Sequence, residues 1–329
     1  MSVTPAAARL PARRHLADRL GDRLLLALTI FGAVVAMAVI ALIIEQLISG
    51  ASPSISKFGI GFLWHTTWNP SLSAGVVNAN VYGAGALIFG TLVTSVISLV
   101  IAVPLAVAIG LYLSLLAHGR TATVIGPLVE LLAAIPSVIL GLWGIIVLAP
   151  IMHSTIEPAL HSVLGFIPIF GAPSQTGLGL FTAGVVLAIM VLPIIASISR
   201  DLFLTVPNEL KDGALAMGAT RWEMIRGVVL DSTRPGLAAA TILGLSRALG
   251  EAIAVTQVIG AGSIISGNLF NTGDTIPSRI AEQFIGATSK LQTASLFYAA
   301  VILLAMEIIA NLAAQLIVWR YERRAGVVR

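Results

Sequence analysis

Six apolar stretches, Leu24–Ile48, Leu87–Leu116, Val124–Ile151, Leu178–Ile198, Leu237–Ile259 and Ser295–Trp319, set the terms on which this 329-residue chain can fold. Each is long enough to cross a hydrocarbon core about 30 Å thick, which takes roughly 20 residues of helix. Lipid offers no water to satisfy backbone N–H and C=O groups, so these runs must be helices that pair the groups internally. Charged residues make up 10% of the chain and hydrophobic ones 57%, whereas soluble domains carry about 25% charged residues. The expectation is an all-α integral membrane protein with six transmembrane helices; a soluble enzyme is excluded. Pro104, Pro127, Pro136 and Pro193 fall inside the runs and predict kinks rather than breaks, because neighbouring helices can re-satisfy the freed carbonyls. The first run is too long for a signal-peptide core of about 7–15 residues, and Glu45-Gln46 is no small-residue cleavage site, so it reads as a retained signal anchor.

Basic residues orient the spans. Arg9, Arg13, Arg14, Arg19 and Arg23 precede the first. Arg120, and then Arg200, Lys211, Arg221, Arg226 and Arg234, occupy two connections on the same side, and Arg320, Arg323, Arg324 and Arg329 follow the last. Only Lys57, Arg279 and Lys290 fall on the other side. The positive-inside rule therefore predicts both termini in the cytoplasm. The chain divides into a basic cytoplasmic tail (1–23), a six-helix domain (24–319) with a cytoplasmic loop at 199–236, and a cytoplasmic C-terminal tail (320–329). The net charge of +4 resides in these loops and bears on topology, not on nucleic acid. The outer connections, about 49–86, 152–177 and 260–294, are rich in Gly, Pro, Ser and Asn, and Trp64 and Trp68 there suit the membrane–water interface. With no cysteine and five scattered histidines, neither a thiolate nor a clustered metal site is expected.

The cytoplasmic loop has its own design. Asn208 reads as an N-cap with Glu209 and Asp212 near the positive helix end, Leu210, Ala214 and Met217 recur at helical spacing, and Gly218 is a natural stop. Thr220-Arg-Trp-Glu223 then reads as a capping box opening a second short helix with Trp222, Ile225 and Val229. Two short helices separated by Gly218 would make a rigid cytoplasmic knob. The alternative is an amphipathic helix lying on lipid, against which the small residues Ala216 and Gly218 argue. This loop resembles that of binding-protein-dependent ABC importer permeases, where Glu-Ala-Ala is followed after three residues by Gly and after nine more by Ile-x-Leu-Pro. Here Asp212-Gly213-Ala214, Gly218 and Val228 to Asp231 stand at the matching offsets. Asp replaces Glu, Gly replaces Ala, Val replaces Ile and Asp replaces Pro. By resemblance, Asp212, Gly213, Ala214 and Gly218 belong to a coupling helix, about 208–218, that seats in a groove of an ATPase.

The fifth apolar run carries Arg247 and Glu251. Counted from Gly236, Arg247 lies roughly 16 Å deep in a core of about 30 Å, where a charge facing lipid costs about 2.5–3.5 kcal/mol. Read as one continuous helix, Ala240, Gly244, Arg247, Glu251 and Ala254 share a face that must meet protein or water. A guanidinium fork can hold an oxyanion by two parallel hydrogen bonds, and Glu251 can neutralise it between turnovers. A purely structural i,i+4 pair is the competing reading. Glu307, Asn311 and Gln315 form a second polar row, suited to interhelical hydrogen bonds; Glu130 and Glu45, nearer helix ends, read as structural.

Trp68-Asn69-Pro70, Tyr82-Gly-Ala-Gly85, Gly90-Thr-Leu-Val-Thr-Ser95, Glu130-Leu-Leu-Ala-Ala-Ile-Pro-Ser-Val138, Gly141-Leu-Trp-Gly144 and Ala254-Val-Thr256 follow in order. Together with the Arg247/Glu251 block they resemble C-type phosphate-specific permeases, the PstC family, from about residue 20 to 322. The resemblance implies a type I ABC importer permease architecture and a plasma-membrane location in a prokaryote. It also implies an A-type permease partner, two cytoplasmic ATPase subunits, an external phosphate-binding protein, and Arg247 and Glu251 on the path of inorganic phosphate. The chain has no Gly-x-x-x-x-Gly-Lys-[Ser/Thr] loop, so ATP chemistry falls to the ATPase; this subunit is expected to need no cofactor. Three other readings stand beside this one: a permease for sulfate or molybdate, an ATPase-independent secondary transporter or anion channel, and a membrane anchor. A secondary transporter would show interrupted helices in inverted repeats and would not need the knob. In an anchor, a midplane arginine would be a cost without a return.

Overall fold

The computed structural model describes residues 16–69, 81–117 and 120–324; the expectations for the tail before residue 16, for Pro70 and for Arg329 lie outside them. Two units are distinguished, Met1–Ser49 and Gly50–Arg329. Helix α1 (Leu16–Phe58) runs from the first into the second and closes in a 3-10 turn at Gly59–Leu63. The only strands among the described residues are β1 (Trp68–Asn69) and β2 (Val81–Tyr82), antiparallel with Trp68 opposite Tyr82. Then come α2 (Gly85–Leu111), ending in a π turn, α3 (Arg120–Ala133), and α4 (Ser137–Trp143), α5 (Ala149–Ile151) and α6 (Glu157–Leu164), which π turns join end to end. They are followed by α7 (Leu180–Thr205), α8 (Asn208–Ala216), α9 (Arg221–Met224), α10 (Leu230–Gly250), α11 (Ile253–Val258), α12 (Ile276–Gln283) and α13 (Lys290–Arg324).

Five helical segments are long and apolar enough to cross a membrane: Gly21–Leu63, Gly85–Leu116, Ser137–Leu164, Leu180–Thr205 and Lys290–Arg320. The sequence predicts six: a break displaces the third to Ser137–Leu164, and the fifth, interrupted after Gly250, is the one missing from the five. The third run breaks at Ala134–Pro136, where Ala134 and Ile135 donate to Leu131 and Leu132 in tightened i→i+3 bonds at 3.0 and 3.4 Å before Pro136 starts a new helix. Proline disfavours the helical conformation in the residue before it. Pro104, Pro127 and Pro193, by contrast, stay inside their helices; Pro136 was expected to kink and instead interrupts. The fifth run also breaks, after Gly250, and its helix starts already in the polar stretch at Leu230.

Within 50–329, α2, α7 and α10 approach closely through small residues. Ala102 and Ala106 of α2, Ala188 and Ala196 of α7, and Ala240 and Ala248 of α10 are buried around Val191 and Ile195. In lipid, where no hydrophobic effect drives helices together, such small-residue seams let backbones pack by dispersion. On α2 the buried hydroxyls of Thr91, Thr94 and Ser95 donate to carbonyls one turn back at 2.7–2.8 Å. Thr91 also accepts from the backbone N–H of Ile276 at 3.0 Å, which ties α12 to α2.

The connection before α13 conceals an ion pair. Arg279 Nε lies 2.6 Å from Asp274 Oδ2, and both side chains are almost fully buried. Asp274 also accepts from the Thr275 N–H at 2.8 Å and from the Ser278 hydroxyl, and the Arg279 guanidinium donates to Ser263 at 2.9 Å. Burial pushes the Asp274 carboxyl up to about 6 against the opposing pull of Arg279, which leaves it ionised at neutral pH. Trp68 belongs to this cluster, not to the membrane interface: it is buried, donates to Gln283 Oε1 at 2.8 Å and packs on Tyr82. Trp64 is exposed.

Candidate anion site and coupling surface

Glu251 leaves the helix. α10 stops at Gly250, Glu251 has an extended backbone (φ −74°, ψ 120°), and α11 starts two residues later. The single helical face expected to carry Ala240, Gly244, Arg247, Glu251 and Ala254 is therefore two faces joined by a corner. Arg247 sits in the last turn of α10, where a cation meets the partial negative charge of exposed carbonyls. Glu251 stands just ahead of α11, where a carboxylate meets free N–H groups; its Oε1 lies 3.5 Å from the Ala254 nitrogen. The two still pair, Nη2 to Oε2 at 3.2 Å, with Glu251 buried (6% exposed) and Arg247 half open (49%). A guanidinium with one nitrogen engaged and an open side keeps donors for an incoming oxyanion. The signal for this break was in the sequence: arginine in a last turn followed by glycine is how helices end.

The C-terminal halves of both interrupted runs meet. A Cβ on Gly141 of α4 would lie 2.8 Å from the Ala254 Cα, and one on Gly144 would lie 2.7 Å from Val258 Cγ1. Leu140, Leu148, Ala254, Val255 and Val258 are buried in one cluster with Leu180, Val186 and Leu187 of α7. Discontinuous helices present their ends to the solute in many secondary transporters. The sequence reading reserved interrupted helices for secondary transporters; their presence here removes that criterion.

The knob forms as a capped unit. Gly218, at φ +90°, donates to Leu215 O at 3.0 Å, and Ala219 donates to Ala214 O at 3.2 Å, the two bonds of a Schellman motif. The Thr220/Glu223 capping box is present in both directions, and its bonds from Thr220 hold the Glu223 carboxyl below its ordinary range. Two details differ from expectation. Pro207, without a side-chain bond, is the N-cap of α8, and Asn208 instead accepts from Lys211 at 3.4 Å. The second helix is not short, for α9 passes through a π turn at Ile225–Val229 straight into α10. Ile225 and Val229 anchor that turn on buried Phe203 and Val206. α8 buries no residue: Leu210 and Met217 of the expected stripe are exposed, and Asp212 and Gly213 face outward, leaving only Ala214 packed against the bundle.

The second polar row meets α10 as expected for part of its length, with Ser246 donating to Asn311 at 2.9 Å. Glu130 pairs with Arg200 at 3.0 Å, bridging α3 and α7. The Asp274–Arg279 pair escaped sequence reasoning, because an offset of five between opposite charges is no recurrent spacing on either a helix or a strand.

Residues 102–324 match the family described as binding-protein-dependent transport system inner membrane component. The phosphate transport system permease protein PstC of Pasteurella multocida is 40% identical over 303 residues, covering 91% of this chain and 92% of that protein. The chain belongs to the PstC family of binding-protein-dependent permeases. The phosphate transport system permease protein PstC of Mesorhizobium japonicum is 39% identical over 327 residues, 96% of this chain and 98% of the relative. Among solved structures, a bacterial alginate ABC transporter in complex with an alginate-bound periplasmic protein aligns over 95% of this chain and 98% of its own at a TM-score of 0.60. At 15% identity that likeness speaks for the fold alone: an ABC importer permease fold. Family membership makes this chain a multi-pass inner-membrane component and a translocation subunit, not a catalytic one.

Proposed function

We propose that the chain conducts inorganic phosphate inward across a prokaryotic plasma membrane as the C-type permease of an ATP-driven importer. The observation that carries this reading is near-full-length identity of about 40% to relatives named as phosphate permeases. It works beside an A-type permease, on two cytoplasmic ATPase subunits, and receives phosphate from an external binding protein. The six crossings are the five long helices plus the interrupted α10–α11, with both tails, 1–23 and 320–329, and the 199–236 loop in the cytoplasm, as the basic residues dictate.

In this scheme phosphate arriving at the corner between α10 and α11 displaces Glu251 from Arg247. A half-open guanidinium at the end of a broken helix supports that role, since with one nitrogen engaged it keeps donors for an oxyanion. The exposed face of α8 around Asp212 and Gly213, closed by Gly218 and held to the bundle through Ala214, supports docking to the ATPase, because small side chains let another backbone approach. Radiolabelled phosphate uptake into proteoliposomes holding all four components tests the reading. Uptake that requires internal ATP and is suppressed by arsenate but not sulfate is expected. Sulfate or molybdate uptake instead would replace the substrate, and uptake indifferent to the ATPase would overturn the mechanism.

A further inference from the structure

α10 and α13 run antiparallel along a polar seam whose register is visible at two points. Ser246 donates to Asn311, and one turn on, Glu307 Oε1 lies 3.3 Å from the position a Cβ on Gly250 would take. Arg247 and Glu251 are the next residues after these two contacts, so Glu307 stands beside the same corner in the helix. It lies near the middle of the apolar segment Lys290–Arg320. Glu251 is spent, one oxygen on Arg247 and the other toward Ala254. Glu307, half-buried, has no hydrogen-bond or salt-bridge partner among the described residues. It faces the end of α10, where exposed carbonyls make a carboxylate unwelcome. A carboxylate placed against the local field, in the middle of a span and without a partner calls for a ligand that supplies a hydrogen.

We infer that Glu307 is a third residue of the anion path and that it accepts the O–H hydrogen of the passing oxyanion while Arg247 holds its unprotonated oxygens. The inference rests on the assignment of Arg247 and Glu251 to that path. Phosphate near neutral pH carries one or two hydrogens; sulfate carries none. An oxyanion without a hydrogen meets the carboxylate as a like charge and leaves its lone pairs unmatched. Sites built around such a hydrogen bond reject analogues that lack it by about 10⁴-fold or more. Glu307 therefore makes the membrane step selective for protonated oxyanions, independently of any selection made outside the membrane.

Equilibrium binding of labelled phosphate to the purified permease pair with its ATPase, without the external binding protein, isolates this step. The wild-type complex is expected to bind phosphate and to resist sulfate. Glu307→Gln, which removes the negative charge that repels an unprotonated oxyanion and replaces one acceptor oxygen by an NH₂ donor, should lower phosphate affinity about 10²-fold and let sulfate compete. Glu307→Asp should restore part of both, and co-purification of the ATPase confirms that each variant assembles. Unchanged affinity and unchanged sulfate resistance in Glu307→Gln would overturn the role of Glu307. Wild-type binding that survives Arg247→Gln, or no phosphate binding by the wild-type complex in any nucleotide state, would overturn the path on which it depends.

Discussion

Gly213 and Gly218 lie on the same exposed knob, yet the structure demands opposite responses to their replacement. Gly218 adopts φ +90°, a region that costs a residue with a Cβ about 1–2 kcal/mol. Gly218→Ala should therefore loosen the Schellman bonds from Gly218 and Ala219 by a factor of about 5–30. Gly213 sits inside α8 with ordinary helical dihedrals and nothing within 4 Å of an added Cβ. Replacing it with a good helix former stabilises α8 by up to about 1 kcal/mol. Gly213→Gln thus builds a firmer helix with a bulkier outer face. Amide exchange at 214–219 reads the first effect, and ATPase co-purification with ATP-driven uptake reads the second. We expect Gly218→Ala to speed exchange and weaken uptake in proportion. Gly213→Gln should slow exchange yet lose ATPase binding. A Gly213→Gln complex that assembles and transports as well as wild type would refute docking through this face. Unaltered exchange in Gly218→Ala would refute the argument from backbone strain.

Arg247→Gln should abolish phosphate uptake while the ATPase still co-purifies; full uptake would reduce the pair with Glu251 to a structural one. Asp274→Asn strands a buried Arg279 and should cost about 3–5 kcal/mol, whereas Asp274→Leu combined with Arg279→Met should cost less than either single change; thermal unfolding of the purified complex measures both. Thr220→Ala removes an N-cap worth about 1 kcal/mol and should raise exchange at 221–224. Because the Glu223 carboxyl is depressed in the folded chain, its share of the cap is complete above the unfolded carboxylate value and fades as pH falls through the lower, folded one. Exchange at the same amides followed against pH checks that sign.

The caps of the knob were legible because they are local chemistry: Gly218 and Thr220-x-x-Glu223 specify their hydrogen bonds within six residues of chain. The apolar runs were legible because lipid leaves the backbone no alternative to helix. The breaks were not. Pro136 and Pro193 offer the same backbone defect, and packing decides that one interrupts and the other does not: α7 is clamped along both sides by α2 and α10, whereas α4 departs from α3 to meet α11. At Gly250 the helix-end signal competed with an apolar pattern that continued to Ile259, and reading by pattern length hid it. Trp68 was misplaced because its partners, Tyr82 and Gln283, are distant in sequence, and an aromatic beside a span suits an interface equally well on composition alone.

The run from Arg221 to Gly250 makes one rod about 45 Å long at 1.5 Å per residue. Its lower end is stapled to α8 through the Schellman and capping-box bonds; its upper end is the corner that carries Arg247. The π turn at Ile225–Val229 and Pro235 inside α10 are the irregular places along it, and buried Val229 fixes the first against Phe203. Such a rod behaves as a lever with its fulcrum near one end. A tilt of about 5° at the π turn would carry its far end, about 35 Å away at 1.5 Å per residue, sideways by about 3 Å. Mechanical work done on the knob would thus reach the charged corner as displacement, through a rod interrupted at the π turn and at Pro235.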